Sequence, residues 1–352
     1  MKALVLSGGK GTRLRPFTFT TAKQLIPVAN KPILGYVLDK ISEAKIKDVG
    51  VIIAPETGNA VKDYVKDGSA WNINVTYIPQ EPLGLAHAVK TAKEFLGDEN
   101  FIMCLGDNLI GKNFNPLLRR FDEEELDTLL LLKEVENPSR FGVAVLDNQD
   151  NIVQLIEKPQ NPESNLAMVG IYLFSSKIHD AIERIKPSGR GELEITDAIQ
   201  EMINMGFNVK AETPKVWWLD TGKKDDILVA NAKILDEYTK REIQGVVQES
   251  KIEGRVTIQE NAKVVNSTIR GPCVIGEDCV VENSLIGPYT SIGNGTKITD
   301  SAIEYCVILE NVQITGVDRL EESLIGKNAK VTKNHRKGCL KLHVGDYSEV
   351  EI

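Results

Sequence analysis

The sequence has little cysteine and no long hydrophobic run, and each shortage excludes a class of protein. Its five cysteines are odd in number and lack the paired spacing of a zinc site or a disulfide framework. A reduced cytoplasm is therefore the expected compartment. No apolar run approaches the roughly 18 residues of a membrane helix, and Met1-Lys2 leads into the first strand without a signal peptide. We expect neither membrane insertion nor secretion.

An excess of positive charge is also missing. The chain has 42 Lys and Arg against 50 Asp and Glu, which gives a formal net charge of -8. General nucleic-acid binding requires a basic face, so nucleic acid is not an expected partner. Basic residues near the N-terminus instead indicate a local site.

The N-terminus combines an apolar strand with a glycine-rich loop. Residues 3–7 have the length and composition of a buried strand, and three glycines follow within four positions, Gly8, Gly9 and Gly11. Glycine allows backbone to approach a ligand closely, and successive free N–H groups form a concavity that binds anions. The loop therefore predicts a phosphate site.

This loop differs from two better-known phosphate loops. A Walker loop places lysine after its last glycine, whereas Lys10 precedes Gly11. The dinucleotide fingerprint requires a third glycine where this chain has Leu14. Basic side chains of the sign that phosphate requires surround the glycines, namely Lys10, Arg13, Arg15 and Lys23.

Strands and helices alternate after the loop. The pattern predicts strands at 49–54, 75–78, 101–105, 128–132, 141–145 and 152–156, and helices after Pro32, at 61–65 and at about 224–240. Such alternation implies a doubly wound α/β sheet, in which ligands gather at the carboxyl ends of strands. Asp107 follows one strand directly, and Asp220 follows an apolar Trp-Trp-Leu run. A lone aspartate there is more often a turn former, but Mg²⁺ prefers one or two carboxylates plus phosphate oxygens.

Several separated motifs of this chain occur in the same order as in the sugar-1-phosphate nucleotidyltransferases. The chain most resembles the long-form glucose-1-phosphate thymidylyltransferases of that family. The matching segments are 8–16, 23–32, 80–88, 105–108, 157–159, 190–197 and 218–222. The resemblance covers about residues 1–240 and implies a Rossmann-like nucleotidyltransferase domain. It also implies that a hexose 1-phosphate attacks the α-phosphorus of dTTP or UTP in line and releases pyrophosphate.

The same resemblance implies a set of site residues. Those for the nucleotide are Leu6, Gly8, Gly9, Gly11, Thr12, Arg13, Gln24, Gln80 and Gly84; those for the sugar phosphate are Gly142, Glu157, Lys158, Gly170, Glu194 and Trp218. Asp107 and Asp220 would hold Mg²⁺. The residues expected to carry catalysis are Arg13, Lys23, Asp107, Lys158 and Asp220.

Three positions depart from the pattern of many relatives. His87 stands where thymidylyltransferases usually have glutamine, and local context favours a helix-face residue without a ligand role. Phe141 and Val169 replace a common tyrosine and threonine, which removes two hydroxyl groups near the expected sugar pocket. Base and sugar identity stay open, because one methyl group is worth only about 1 to 3 kcal/mol in a pocket.

The last hundred residues contain a repeat. Segments beginning at Asn266, Asn283 and Asp300 recur at 17-residue intervals, and a similar segment begins at Glu322 after a step five residues longer. Within each copy aliphatic residues recur about every six positions, namely Ile252, Ile258, Val264, Ile269, Ile275, Val281, Ile286, Ile292 and Ile298. One inward aliphatic residue on each of three faces predicts a parallel β-helix of four or five coils.

Similarity to hexapeptide-repeat proteins implies that this β-helix is left-handed. We expect a catalytic domain at 1–240, a β-helix domain at 246–345, and a homo-oligomer, with a trimer as one candidate. Two further hypotheses stay open. The β-helix could be an acyltransferase that uses His335 or His343, or the whole chain could be a non-catalytic scaffold.

Overall fold

The computed structural model describes residues 1–9, 11–19, 21–111, 113–333 and 342–351, and the chain forms two compact units. The first unit comprises Met1–Lys10 and Leu34–Leu219, and the second comprises Gly11–Ile33 and Asp220–Ile352. The part of the glycine-rich loop from Gly11 onward therefore belongs to the same unit as the C-terminal repeats. Separate folding of residues 1–240 and 246–345 stays a prediction.

The strands as far as residue 220 supply the nine-stranded sheet of the first unit, a separate pair formed by the seventh and thirteenth strands, and a small hairpin of the second unit. They are β1 (Lys2–Ser7), β2 (Pro27–Val28), β3 (Lys31–Pro32), β4 (Asp48–Ile53), β5 (Asn74–Pro79), β6 (Phe101–Leu105), β7 (Asn108–Ile110), β8 (Thr128–Glu134), β9 (Gly142–Leu146), β10 (Ile152–Glu157), β11 (Leu166–Phe174), β12 (Val209–Glu212) and β13 (Trp218–Asp220). Strands β2 and β3 pair as an antiparallel hairpin.

Eight α-helices occur in the described residues. They are α1 (Ile33–Glu43), α2 (Gly58–Val65), α3 (Leu85–Thr91), α4 (Lys93–Leu96), α5 (Asn115–Glu123), α6 (Ile178–Ile182), α7 (Ile195–Asn204) and α8 (Lys224–Tyr238). Short 3-10 turns lie at Thr12–Leu14, Phe17–Phe19, Lys23–Leu25, Ser69–Trp71 and Pro138–Arg140. The expected alternation of strands and helices is confirmed.

A nine-stranded mixed sheet forms the centre of the first unit. Its order is β10-β9-β11-β6-β1-β4-β5, with β8 beside β11 and β12 beside β8. Strands β4, β1 and β6 are parallel and almost wholly buried, as expected of uninterrupted apolar runs covered on both faces. Strands β9, β10 and β11 are antiparallel to their neighbours. Their short connections leave no room for a crossover helix, a feature that alternation alone did not predict.

The C-terminal repeats form three stacked parallel sheets, as in the expected left-handed β-helix. The first contains β14 (Glu242–Ile243), β17 (Val256–Ile258), β20 (Cys273–Ile275), β23 (Thr290–Ile292), β26 (Val307–Ile308), β29 (Leu324–Ile325) and β31 (His343–Val344). The second contains β15 (Val246–Gln248), β18 (Lys263–Val265), β21 (Val280–Glu282), β24 (Lys297–Thr299), β27 (Gln313–Thr315), β30 (Lys330–Thr332) and β32 (Glu349–Glu351). The third contains β16 (Lys251–Glu253), β19 (Thr268–Arg270), β22 (Leu285–Ile286), β25 (Ala302–Glu304) and β28 (Leu320–Glu321).

The stacked aliphatic residues confirm the predicted core of the β-helix. All nine predicted side chains join one apolar cluster, and only Ile252 is partly buried. The expectation of four or five coils between residues 246 and 344 was too low, because two of the sheets each have six described strands in that range. The segment at Glu322 is also not a fourth copy in register. Ile325 stacks on Ile308, whereas Ile303 belongs to a different sheet, because five extra residues advance the chain by about one face.

Helix α8 and the β2–β3 hairpin belong to the same unit as the β-helix. Helix α8 packs against β2, β23 and β26. Its apolar side chains Ile227, Ala230, Ile234 and Leu235 are buried. The second unit therefore has a helix and a hairpin attached to its stack of coils.

Candidate functional site

In the first unit, the glycine-rich loop begins at the carboxyl end of a central strand. Leu6 of β1 pairs with Ile52 on one side and Leu105 on the other, and the Gly106 N–H donates to the Leu6 carbonyl at 2.9 Å. The strand ends that precede Gly8 and Asp107 are therefore neighbours. Gly9 follows directly, and Lys10 lies outside the described residues.

Asp107 is held by a network of amide hydrogen bonds. It is buried, and Asn108 Nδ2 donates to its Oδ1 at 3.3 Å. Asn108 Oδ1 in turn accepts from Trp218 Nε1 at 2.6 Å and from the Gly170 N–H at 3.3 Å. Three residues that sequence reasoning assigned to metal and sugar, Asp107, Gly170 and Trp218, thus meet around one asparagine. Phe141 packs against Trp218, with ring centroids 5.7 Å apart.

A second cluster unites the predicted sugar-phosphate residues with a cation that the sequence did not single out. Lys158 Nζ and Arg190 Nη2 each lie 3.2 Å from Glu157 Oε1. Arg190 also contacts Glu194 Oε1 at 2.8 Å, and Ser188 Oγ donates to the same oxygen at 2.7 Å. Two carboxylates, which can accept hydrogen bonds from hydroxyl groups, therefore lie next to two cationic side chains. Arg190 stood inside a matched motif, the only available sequence signal for it.

Gly142 lies directly against this cluster. A Cβ at Gly142 would be 2.6 Å from Thr196 Cγ2 and 3.2 Å from Glu157 Oε2, so a larger residue would displace the carboxylate. Thr196 Oγ1 donates to the same Glu157 oxygen at 3.4 Å. Burial, followed by the nearby Glu194 and Glu157 carboxylates, raises the pKa of Asp197. Val169, which replaces a threonine common among relatives, is fully buried.

The segment that contains the predicted nucleotide residues Gln80 and Gly84 forms a turn before α3. Gln80 Nε2 contacts the Gly84 carbonyl at 3.2 Å and His87 Nδ1 at 3.1 Å. Because the amide nitrogen is a donor, His87 Nδ1 accepts. Burial, followed by the charge of Lys90, lowers the pKa of His87 and favours this neutral form. His87 therefore orients Gln80, a role that local helix context did not suggest.

Gly84 has both a conformational and a steric requirement. Its φ of 110° is disfavoured for other residues, and a Cβ there would lie 2.2 Å from the Leu193 carbonyl oxygen. Leu193 N–H donates to the Leu83 carbonyl at 2.8 Å, and the Ala86 N–H donates to the Leu193 carbonyl at 3.1 Å. The turn is thus locked to the segment that leads into α7.

In the second unit, the predicted phosphate residues lie on a chain of short turns. Gly11 has a left-handed φ of 59°, its carbonyl accepts from Thr18 Oγ1 at 2.7 Å, and Thr12 and Arg13 are exposed. Lys23 is partly buried beside the Gly11 position. Gln24 is buried, and its Oε1 has no hydrogen-bond partner in the described part of the chain.

Arg13 and Asp220 flank one glycine of the second unit. A Cβ at Gly222 would lie 3.1 Å from both Arg13 Nη2 and Asp220 Oδ2. A guanidinium and a carboxylate with this placement offer opposite charges to one ligand, as a metal-bound phosphate requires. Two residues later α8 begins, where the Lys223 N–H donates to Asp226 Oδ2 at 2.8 Å.

The described residues also bear on metal ligation, cysteine chemistry and membrane insertion. No group of three or more His, Cys, Asp or Glu that could hold a metal occurs among the described residues. Cys104, Cys273, Cys279 and Cys306 are free and buried, whereas Cys339 and His335 lie outside the described residues, as does the side chain of His343. Within the described ranges, no helix combines the length and apolar character needed to cross a membrane.

Comparison with known proteins relates these features to one family. Residues 2–237 match the family model described as nucleotidyl transferase. The chain is 47% identical to a glucose-1-phosphate thymidylyltransferase of Streptomyces antibioticus, over 100% of this chain and 99% of that protein. It is 42% identical to the low-salt glycan biosynthesis nucleotidyltransferase Agl11 of Haloferax volcanii, over 94% of each.

A solved structure with a similar fold belongs to a protein of the same kind as these relatives. It comes from Bacillus anthracis, is assigned as a glucose-1-phosphate thymidylyltransferase, and was obtained with sucrose. The TM-score is 0.62 at 34% identity, over 66% of this chain and 94% of that one. The family-model match spans most of the chain, and the relatives extend it through the β-helix. The chain therefore belongs to the nucleotidyl transferase family and is an enzyme of that class.

Proposed function

We propose that the enzyme joins a nucleoside triphosphate to a hexose 1-phosphate, with dTTP and glucose 1-phosphate as the preferred pair. The observation that carries this proposal is the cluster of Glu157, Lys158, Arg190 and Glu194. Its carboxylates suit sugar hydroxyls, and its two cations suit a phosphate monoester. The names of the full-length relatives support the same pair.

The proposed reaction is an in-line displacement at the α-phosphorus. A phosphate oxygen of the sugar forms the new bond, the bond to the bridging oxygen of the β-phosphate breaks, and pyrophosphate leaves with that electron pair. Lys158 orients the attacking phosphate, while Arg13 and Lys23 bind the triphosphate and stabilise developing charge. No general base is required, because the sugar phosphate is already an anion. Positioning and charge stabilisation supply nearly all catalysis in such transfers.

We assign Mg²⁺ to Asp107 and Asp220. The donor chemistry fits, since carboxylate oxygens suit Mg²⁺, and the described residues contain no larger cluster of ligands. A site with so few protein ligands requires phosphate oxygens from the substrate. When bound, the ion would neutralise charge on the triphosphate.

The remaining residues complete the nucleotide site. We assign phosphate contacts to the backbone at Gly8, Gly9, Gly11 and Thr12, and base and sugar contacts to Leu6, Gln24, Gln80 and Gly84. The His87 contact supports Gln80, because it leaves the Gln80 amide oxygen to accept a hydrogen from the N3–H of thymine or uracil. Both bases offer this group, so UTP use stays an alternative.

Two alternatives have less support. A second, acyltransferase activity in the β-helix would depend on His335 or His343, the two histidines that the sequence has in this region. A non-catalytic scaffold would not need the residues expected to carry catalysis. All of them are present, namely Arg13, Lys23, Asp107, Lys158 and Asp220. We propose a cytoplasmic homo-oligomer that associates through the β-helix, with a trimer as the state to test.

Pyrophosphate release tests the proposed function. The purified protein with Mg²⁺ is given five nucleoside triphosphates, each with glucose, galactose, mannose or N-acetylglucosamine 1-phosphate. We expect the highest kcat/KM with dTTP and glucose 1-phosphate, and a chelator should abolish release. Release with every nucleotide at one rate, or with none, would contradict the proposal.

A further inference from the structure

One buried asparagine links three segments of the second unit. Asn231 lies in the middle of α8 and is 1% exposed. Its Oδ1 accepts from the Ala29 N–H at 2.8 Å, and its Nδ2 donates to the Tyr289 carbonyl at 2.9 Å. Ala29 is in the turn between β2 and β3, and Tyr289 directly precedes strand β23 of the β-helix. A single amide therefore joins hairpin, helix and coil.

A second amide makes a parallel connection. Asn30 Nδ2 donates to the Ile292 carbonyl at 2.6 Å, and that oxygen also accepts from the Gly276 N–H at 2.8 Å within the stack. Ala29 and Asn30 both have positive φ, at 47° and 62°. The hairpin turn is thus attached to the β-helix coil at 289–292 by two side chains, Asn231 through a pair of hydrogen bonds and Asn30 through one.

This attachment leads directly to the proposed phosphate residues. The hairpin follows the Lys23–Leu25 turn, and the Ile33 N–H closes it by donating to the Ile26 carbonyl at 3.3 Å. A Cβ at Gly11 would lie 3.0 Å from Lys23 Cβ, so the two ends of the loop are in contact. Asp220, beside Arg13 at Gly222, precedes the same α8 that carries Asn231.

Asn231 is a poor choice for a helix that needed only apolar packing. Asparagine is less favourable than leucine in a helix interior, and a buried amide costs free energy unless both of its ends are hydrogen-bonded. Here both ends are satisfied, and by two segments far apart in sequence. Such an arrangement specifies relative position in a way that apolar contacts do not.

We propose that Asn231 is a positioning residue that fixes the loop of Arg13 and Lys23 to the β-helix. The β-helix then contributes to nucleotide binding, in addition to any role in association. This inference rests on the proposed function for the role of the loop.

Paired variants separate the two ends of the amide. Asn231→Asp keeps an acceptor for Ala29 and loses the donor to Tyr289, whereas Asn231→Leu loses both. Asn30→Gly removes the second link while it tolerates the positive φ. Thr296→Val is the matched control, because buried Thr296 Oγ1 also makes two hydrogen bonds, to Leu309 and Val312, both within the β-helix.

Steady-state kinetics should show a selective effect on the nucleotide. For Asn231→Leu we expect the KM for dTTP to rise about tenfold and the KM for glucose 1-phosphate to stay within about twofold of wild type. Asn231→Asp and Asn30→Gly should give smaller changes of the same kind. Thr296→Val should leave both KM values unchanged.

Hydrogen–deuterium exchange of the full-length protein supplies a readout independent of activity. Peptides covering residues 23–33 should exchange faster in Asn231→Leu and Asn30→Gly than in wild type or Thr296→Val. Unchanged exchange there, or equal rises in both KM values, would overturn the inference. If Asn231→Leu fails to fold, Asn30→Gly decides by the same two criteria. A wild-type protein inactive on every substrate pair would overturn the proposed function, and exchange alone would then decide whether Asn231 fixes the loop.

Discussion

Single side chains set the geometry of the charged groups in this enzyme. Asn108 orients the Asp107 carboxylate while it accepts from Trp218 and Gly170. In the sugar-phosphate cluster, Arg190 contacts both Glu157 and Glu194. Hydrogen bonds to charged groups contribute about 1.5 to 3 kcal/mol each and fix direction as well as distance. Substitutions at this scale should alter chemistry with little effect on folding.

The proposed metal ligands give the first prediction. Asp107→Asn and Asp220→Asn each remove a negative charge that would hold Mg²⁺, while they preserve side-chain shape. We expect pyrophosphate release to fall by orders of magnitude with an unchanged circular dichroism spectrum. Exposed Asp122→Asn on α5 is the control. Retention of more than about a tenth of wild-type kcat, a loss of only about 1.4 kcal/mol, would exclude the residue as a metal ligand.

A buried histidine gives a prediction about stability and pH. His179 stacks on Phe101, and neither ring nitrogen has a hydrogen-bond partner in the described residues. Burial, followed by the charge of Lys93, lowers the pKa of His179 from 6.5, although Asp180, Asp98 and Glu183 act in the opposite direction. The unfolded chain therefore binds this proton more readily than the folded one. Stability should fall as the pH drops below about 6.5.

His179→Phe tests this linkage. The variant should lose part of the pH dependence of unfolding below about pH 6.5, where one site contributes at most about 1.4 kcal/mol per pH unit. Urea denaturation of variant and wild type at pH 5.0 to 8.0 measures the difference. His87 is present in both proteins, so its own titration cancels. Identical pH slopes would show that His179 is protonated equally in both states.

At the scale of elements, the turn before α3, which we propose contacts the nucleotide, is locked by backbone contacts. The turn before α3 is held against Leu193 by two backbone hydrogen bonds, and Gly84 permits that approach. The same element presents Gln80 and His87. Its geometry and its proposed nucleotide contacts therefore depend on one another.

Gly84→Ala and Gly97→Ala together separate steric from conformational cost. Both glycines have positive φ, but a Cβ at Gly97 has nothing within 4 Å, whereas one at Gly84 meets the Leu193 carbonyl. We expect Gly97→Ala to cost about 1 to 3 kcal/mol and Gly84→Ala to cost more, with weaker dTTP use. Thermal denaturation and kinetics measure both. Equal costs would show that the turn moves to accommodate a side chain.

For the whole molecule, the division into units changes what truncation should do. The sequence predicted a catalytic domain at 1–240 and a separate β-helix domain at 246–345. In the structure, the segment Gly11–Ile33 and α8 belong to the unit that contains the coils. Removal of the coils would also remove Tyr289 and Ile292, whose carbonyls accept from Asn231 and Asn30, and would leave Asn231 with its Ala29 contact.

A chain that ends at Gln244 should therefore fold its nine-stranded sheet, and its losses should extend beyond the proposed assembly. We expect a lower Tm, a smaller oligomer and a higher KM for dTTP, because β23 and β26 no longer support α8. Circular dichroism, light scattering and pyrophosphate release measure these effects. Activity equal to that of the full chain would show that the β-helix does not support the loop.

The sequence by itself determined the features that depend on local periodicity. Apolar runs such as residues 101–105 predict buried strands, and the 17-residue repeat predicts stacked coils, because regular elements repeat their burial at a fixed interval. The glycine-rich loop indicated phosphate because backbone freedom is a property of the residue itself. These signals were sufficient for the fold class, whereas most candidate site residues followed from the resemblance to the nucleotidyltransferase family and stay predictions.

Only the tertiary structure decided which distant side chains meet. Arg190 contacts Glu157 across 33 positions, and Asn231 contacts Ala29 across 202. It also decided that the Glu322 segment lies on another face of the β-helix, because register follows the pairing of neighbouring coils. Hydrogen bonds between remote segments have no sequence period, since each depends on the path of the chain between them.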